Sequence, residues 1–263
     1  MTDGIRGVIL DVDGTVVRGD DPLPGSRAGL DAIEEAGLRR LFVSNNPTKA
    51  PAAYESRFAR AGFDVTADEV VTAATATTAY LADRDDEDAR HYVVGENGLR
   101  GLLREAGLEL VTDPATATVL VASIDRGFDY DELCVAMRVL GDDSVAFVGT
   151  DPEMVIPAAD GDVPGSGAVI NAIAGVAGRD PDIVLGKPSR PTRDLVLSRI
   201  GLPPERCLVV GDRLDTDVAM GASAGMTTAL VRTGVTDDAA LAASDVEPDY
   251  VLDSLADLTD VLR

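Results

Sequence analysis

Tryptophan is missing from this chain of 263 residues, histidine occurs once, cysteine twice, and lysine only as Lys49 and Lys187. Each scarcity excludes something. Cys134 and Cys207 form no Cys-x-x-Cys pair, and His91 alone cannot complete a zinc site with them by spacing, so buried reduced thiols are expected. Nowhere do about 18 apolar residues follow one another, the minimum for a membrane span. The first apolar run stops at Asp11, before a secretory apolar region could form, which makes a cytoplasmic, soluble protein the expectation. Basic residues are also few, 23 against 46 acidic ones, and a net charge of −23 would repel both nucleic acid and anionic lipid. Small molecules are the expected partners.

What is present suits a packed globular protein: 45% hydrophobic and 26% charged residues, in a length that holds one large or two modest domains. The acidity has a texture, with 34 Asp against 12 Glu, and 21 Arg against the two lysines. That is the texture of adaptation to high salt, since at about 1 M the Debye length falls to roughly 3 Å and repulsion among exposed carboxylates is screened. A lysine that survives such a bias draws attention, above all Lys187.

Gly7–Leu10 is a short apolar run that stops at Asp11-Val12-Asp13-Gly14-Thr15, the pattern of a buried parallel strand entering a loop. A helix is expected over Ser26–Ala36, where Leu30, Ile33 and Ala36 recur at three-residue steps and Gly37 supplies the stop. Leu41–Val43 reads as the next strand, ending in Ser44-Asn45-Asn46-Pro47, and Ala52–Ala61 as the next helix; this alternation makes the sheet parallel. A second α/β alternation runs from His91 to Val148, then a loop over Asp151–Gly167 and a helix over Val169–Ala177. Ile183–Leu185, Cys207–Val210 and Thr228–Val231 return to the first pattern. The expected partition is a discontinuous α/β core, residues 1–77 and 181–263, with residues 78–180 inserted as a second α/β module.

Open parallel sheets bind ligands outside the carboxyl ends of their strands. The polar residues at those ends are Asp11 and Asp13, Ser44, Lys187, and Asp212, Asp215 and Asp217. Several carboxylates in one crevice stay ionised cheaply only around a cation, and oxygen ligands with retained waters are what Mg²⁺ prefers. With an ammonium beside it, that ion would make an electropositive spot for a phosphate. One aspartate could attack and the other could protonate the leaving oxygen, then deprotonate water. Ser44 and the N–H groups of Asn45 and Asn46 suit phosphoryl oxygens. Singly, each motif has an ordinary reading: Asp-Gly as a turn, Ser44 as a cap, Asp212 and Asp217 as a cap and a solvated face. Their joint appearance at strand ends favours chemistry. Gly165-Ser166-Gly167 lacks a third glycine at Ile170 and is no dinucleotide fingerprint, and His91 and Lys49 are expected to be structural.

In that order, Asp11-Val12-Asp13-Gly14-Thr15, Ser44, Lys187 and Gly211-Asp212 through Asp217 resemble the four motifs of the haloacid dehalogenase (HAD) superfamily of phosphatases. DVDGTVVRGDDPLPGS, LFVSNNPTK, GKPS and GDRLDTDVAMGASAGM resemble its subfamily IIA, the NagD-like and 4-nitrophenylphosphatase-like enzymes. The resemblance implies a Rossmann-like core with an inserted α/β cap of the C2 type, Mg²⁺ dependence, and phosphate monoester hydrolysis through an aspartyl-phosphate. Residue by residue, it implies Asp11 as nucleophile and metal ligand, Asp13 as general acid/base whose backbone carbonyl also binds the metal, and Asp212 as a further ligand. Ser44 would bind the phosphoryl group, Lys187 would stabilise it, and Asp217 would orient metal-bound water or Lys187. Asp215 lies outside the pattern. Thr150-Asp151-Pro152-Glu153 stands where the subfamily usually reads Thr-Asn-Pro-Asp, which makes Thr150, Asp151 and Glu153 the candidate substrate-selecting residues of the cap. A sugar phosphate or nucleoside monophosphate is the first expected substrate and phosphoglycolate the second. The rivals are transfer to a sugar hydroxyl instead of water, and a phosphometabolite-binding regulator with weak catalysis. Cap faces often pair in this family, so a homo-oligomer is a further expectation.

Overall fold

A computed structural model describes residues 4–84, 88–157 and 161–262. These divide into two compact units, the first drawn from Met1–Ser44, Pro51–Val71 and Lys187–Arg263, the second from Asn45–Ala50 and Thr72–Gly186.

The first unit is built on a six-stranded sheet in the order Tyr250–Leu252, Thr227–Val231, Cys207–Gly211, Gly7–Asp11, Arg39–Ser44, Val70–Thr72. Gly7–Asp11 is central and pairs in parallel on both sides, with Ile9 opposite Val209 and Leu41. Its residues are all buried because both faces are covered, which is why the strand reads as a continuous apolar run instead of an alternation. Val8 and Leu10 face Leu30, Ile33, Phe42 and Phe58 on one side, while Ile9 meets Leu41, Val196 and Met220 on the other. From Gly7–Asp11 the chain builds outwards in one direction through Arg39–Ser44, and later in the other through Cys207–Gly211 and Thr227–Val231. The reversal leaves a topological switch point beside the carboxyl end of Gly7–Asp11.

The second unit carries a five-stranded parallel sheet in the order Ile183–Val184, Ala146–Gly149, Val119–Ala122, Arg90–Val94, Glu109–Leu110. Phe147, Leu120 and Ile173 pack on one face, and Leu99, Leu103 and Val121 on the other. His91 is a buried strand residue whose Nδ1 lies 2.9 Å from the Glu109 carbonyl oxygen. Ile183–Leu185, grouped with the core strands by its sequence, belongs here instead: Ile183 and Val184 pair with Val148 and Gly149. An apolar run so short has no period that could tell one parallel sheet from another. Within the expected loop Asp151–Gly167, Val155–Ile156 and Val163–Pro164 form a short antiparallel pair, and residues 158–160 lie outside the described residues. Both cysteines are free, Cys207 buried and Cys134 only half-buried. Among the described residues no helix is long and apolar enough to cross a membrane.

Candidate active site

The site is assembled at the switch point of the first unit. Asp11 ends the central strand, and Asp212 directly follows the neighbouring strand Cys207–Gly211. Asp217 sits in the tight turn Leu214–Val218, where its Oδ2 accepts from the Arg213 amide, so the turn aims the carboxylate back over the strand end. Oxygens of Asp11, Asp212 and Asp217 all lie within 4.8 Å of one another. Lys187 is buried among them. Its Nζ donates to Asp11 Oδ1 at 2.6 Å, to Asp217 Oδ1 at 2.6 Å and to the Val43 carbonyl at 3.1 Å, directions that an ammonium's three hydrogens can serve together.

The electrostatics follow from this crowding. Burial pushes the Asp11 carboxyl well above its ordinary value, Lys187 opposes the rise, and the charges of Asp217 and Asp212 add to it. Asp212 is pushed up to about 6 by burial and by Asp217, against the pull of the Val235 amide that donates to its Oδ2 at 2.8 Å. Burial disfavours the Lys187 charge, but Asp11 and Asp217 outweigh it and hold the ammonium protonated. With all three carboxyls ionised, the cluster would carry more negative charge than the Lys187 ammonium balances.

Room for these carboxylates is made by glycine. Gly14 has φ +88°, in the left-handed region, and a Cβ at Gly14 or at Gly234 would collide with the Asp212 carboxylate. Asp11 Oδ2 is buried and accepts no hydrogen bond from the described residues. An orphaned oxygen in an all-oxygen, net negative donor set fits a hard divalent cation, which would neutralise the excess and satisfy that atom.

The remaining candidates are placed as follows. Ser44 ends the strand Arg39–Ser44, buried, with its Oγ 2.8 Å from the Tyr54 hydroxyl. Asp13 is not one of the three clustered carboxylates; its side chain accepts a two-pronged ion pair from Arg57. Neither Tyr54 nor Arg57 was singled out by the sequence; the signal that could have found them is their three-residue spacing on one face of the helix Pro51–Arg60, directly after the Ser44 loop. Asn45, Asn46, Thr150, Asp151 and Glu153 all belong to the second unit. There Asn46 Oδ1 accepts from the amide and hydroxyl of Thr48, closing a turn. Thr150 and Asp151 are fully buried, with Thr150 Oγ1 2.9 Å from Ser123 Oγ and the Glu153 amide donating to Asp151 Oδ1 at 3.2 Å. Burial pushes the Asp151 carboxyl up to about 7, against the pull of the Ser166 hydroxyl, and the Glu153 charge adds to the rise. Glu153 is half-buried.

A Rossmann-like parallel sheet with an inserted α/β cap, and an acid cluster threaded by one lysine at its switch point, define a HAD-type phosphatase. Residues 8–109 match the family model for a haloacid dehalogenase-like hydrolase, and residues 184–258 match a second one, HAD-hydrolase-like. An acid sugar phosphatase of Staphylococcus haemolyticus is 34% identical over 93% of this chain and 92% of its own. Among solved structures, a p-nitrophenyl phosphatase from Archaeoglobus fulgidus superposes with a TM-score of 0.91 at 36% identity, covering 98% of this chain and 99% of that one. NagD from E. coli K-12 follows with a TM-score of 0.86 at 28% identity, covering 96% and 97%. The chain belongs to the haloacid dehalogenase-like hydrolases, in their subfamily IIA of phosphatases.

Proposed function

We propose that the chain hydrolyses a small phosphate monoester, a sugar phosphate before a nucleoside monophosphate or phosphoglycolate, in two steps through Asp11. A carboxylate oxygen of Asp11 attacks phosphorus and the ester oxygen departs, taking a proton from Asp13. Asp13 then removes a proton from water as that water attacks the phosphorus of the aspartyl-phosphate, releasing inorganic phosphate and restoring both side chains. Lys187 neutralises charge on Asp11 and on the transferred group, with Asp217 holding the ammonium in place, and Ser44 donates to a phosphoryl oxygen. Asp11, Asp212 and the backbone carbonyl of Asp13 are the groups that would hold Mg²⁺, which when bound supplies further charge neutralisation to the phosphate. Thr150, Asp151 and Glu153 act on substrate choice, the buried pair by shaping the loop and Glu153 more directly.

The observation that carries this reading is the Lys187 ammonium bonded at once to Asp11 and Asp217 within a cluster that also includes Asp212. A local positive group beside a strand-end carboxylate is what phosphoryl transfer needs, since that reaction depends mostly on positioning and charge neutralisation. The sugar phosphate comes first because a full-length relative bears the name of acid sugar phosphatase.

The test is phosphate release from a panel of sugar phosphates, nucleoside monophosphates and phosphoglycolate in molar KCl, with and without Mg²⁺. Release is expected with the metal, to be abolished in Asp11→Asn while the fold persists. An Asp11→Asn variant that keeps most of its turnover would overturn the nucleophile. Binding of a sugar phosphate without release would leave a regulator, and a phosphorylated sugar among the products would make the chain a phosphotransferase.

A further inference from the structure

We propose that Arg57 is a positioning residue for the proton transfers assigned to Asp13, an inference that rests on the phosphatase reading above. Nη2 of Arg57 donates to Asp13 Oδ1 at 2.5 Å and Nη1 donates to Asp13 Oδ2 at 3.1 Å. The guanidinium is itself fixed from behind: Nε donates to the Gly19 carbonyl at 2.6 Å, and Cζ stands 5.8 Å from the centre of the Tyr54 ring. The two partners differ in kind. The Arg57 side chain is 8% exposed, whereas that of Asp13 is 54% exposed on the loop that turns at Gly14.

An exposed carboxylate on a turn samples several rotamers, and an ordinary surface ion pair would hold it weakly. Here a buried, prefixed fork engages both oxygens, so the carboxylate plane and its two torsions are set together, which a point charge could not do. Proton transfer to a departing oxygen depends on that orientation. One turn earlier on the same helix, Tyr54 meets Ser44, so a single helical face braces two of the site's side chains from outside the acid cluster.

A purely structural arginine would look similar in the absence of substrate, since Arg57 also ties down Gly19. The distinction lies in the leaving group. p-Nitrophenolate departs without a proton, whereas an alkoxide does not, and kcat/KM reports only the steps up to that departure. We would measure kcat/KM of the full chain with Mg²⁺ on p-nitrophenyl phosphate and on glycerol 3-phosphate, for the unaltered protein, Arg57→Met, Arg57→Lys, Asp13→Asn and the double variant Asp13→Asn/Arg57→Met. Arg57→Met is expected to lose at least about tenfold more on the alkyl ester than on the aryl ester. Arg57→Lys should recover part of that difference, and Arg57→Met should add little once Asp13 is Asn. The ratio between two substrates in one preparation does not depend on how much of it is folded, so a destabilised variant still gives an answer. Equal loss on both esters, or no loss, would overturn the role of Arg57 while leaving the phosphatase standing. Phosphate release by the unaltered chain from neither ester and from no member of the sugar phosphate, nucleotide and phosphoglycolate panel would overturn the phosphatase reading itself, and the role of Arg57 with it.

Discussion

At the scale of single residues, Lys187 and Asp151 are opposite cases of a buried charge. Lys187 is surrounded by acceptors, and replacing it with Met would leave Asp11 and Asp217 facing each other without a counter-ion. Lys187→Met is expected to lower kcat/KM at least about tenfold, equivalent to about 1.4 kcal/mol of barrier, and a smaller loss would remove its electrostatic role. Asp151 has hydroxyl and amide donors but, among the described residues, no cation, and burial has raised it from 3.8 to about 7. A carboxyl raised in the folded state favours folding when protonated, so its contribution is full below about pH 4 and is lost as pH climbs through 7. Asp151→Asn removes that loss. The variant is expected to melt higher than the unaltered chain at pH 8, by on the order of 5 °C, with the gap closing towards pH 4; a gap independent of pH would contradict the burial argument. Lys187 was legible in the sequence because only two lysines exist, and Asp11, Asp212 and Ser44 because they follow apolar runs. Arg57 and Tyr54 were not, since one arginine among 21 on a helix reads as a solvated face, and nothing in Asp-Pro-Glu announces that the aspartate is buried.

Among the elements, legibility followed local pattern. The central strands and the helix at Ser26 announced themselves, one by a continuous apolar run ending in acid, the other by three-residue steps with a glycine stop. Val70–Thr72 and Tyr250–Leu252, three residues each at the two edges of the core sheet, carry too few side chains for a period to show. Ile183–Val184 was visible as a strand but not assignable to its sheet, because pairing with Val148 and Gly149 is set by contacts distant in sequence. The joins expected near residues 77 and 180 differ from the unit limits at Val71–Thr72 and Gly186–Lys187, and Asn45–Ala50, expected in the core, groups with the second unit. Turns contribute as much as strands: the segment after Thr227–Val231 brings Gly234 against the Asp212 carboxylate, where no Cβ fits. Gly234→Ala must therefore displace Asp212. The expected result is a lower metal-free melting temperature and, on adding Mg²⁺, a smaller rise than the unaltered chain gives. An equal metal-induced rise would show that Asp212 is not a metal ligand.

For the molecule as a whole, the acidic surface and the acid cluster are governed by different physics, and salt separates them. Net charge of −23 makes the folded chain repel itself at low ionic strength, where a Debye length of about 10 Å lets neighbouring surface carboxylates act on one another. Raising KCl to about 1 M shortens that length to roughly 3 Å and removes most of the repulsion. The ion pairs that Lys187 makes with Asp11 and Asp217 are buried and largely beyond the reach of screening. The melting temperature at pH 7 should therefore climb with KCl, steeply at first and then level off, whereas in Lys187→Met it should climb in parallel from a lower start. Parallel curves would place the salt response at the surface and the lysine's contribution in the interior. A melting temperature that is flat or falling between about 0.05 and 1 M KCl would mean that the excess of aspartate does not burden the fold, and the reading of its composition as an adaptation to salt would have to be given up.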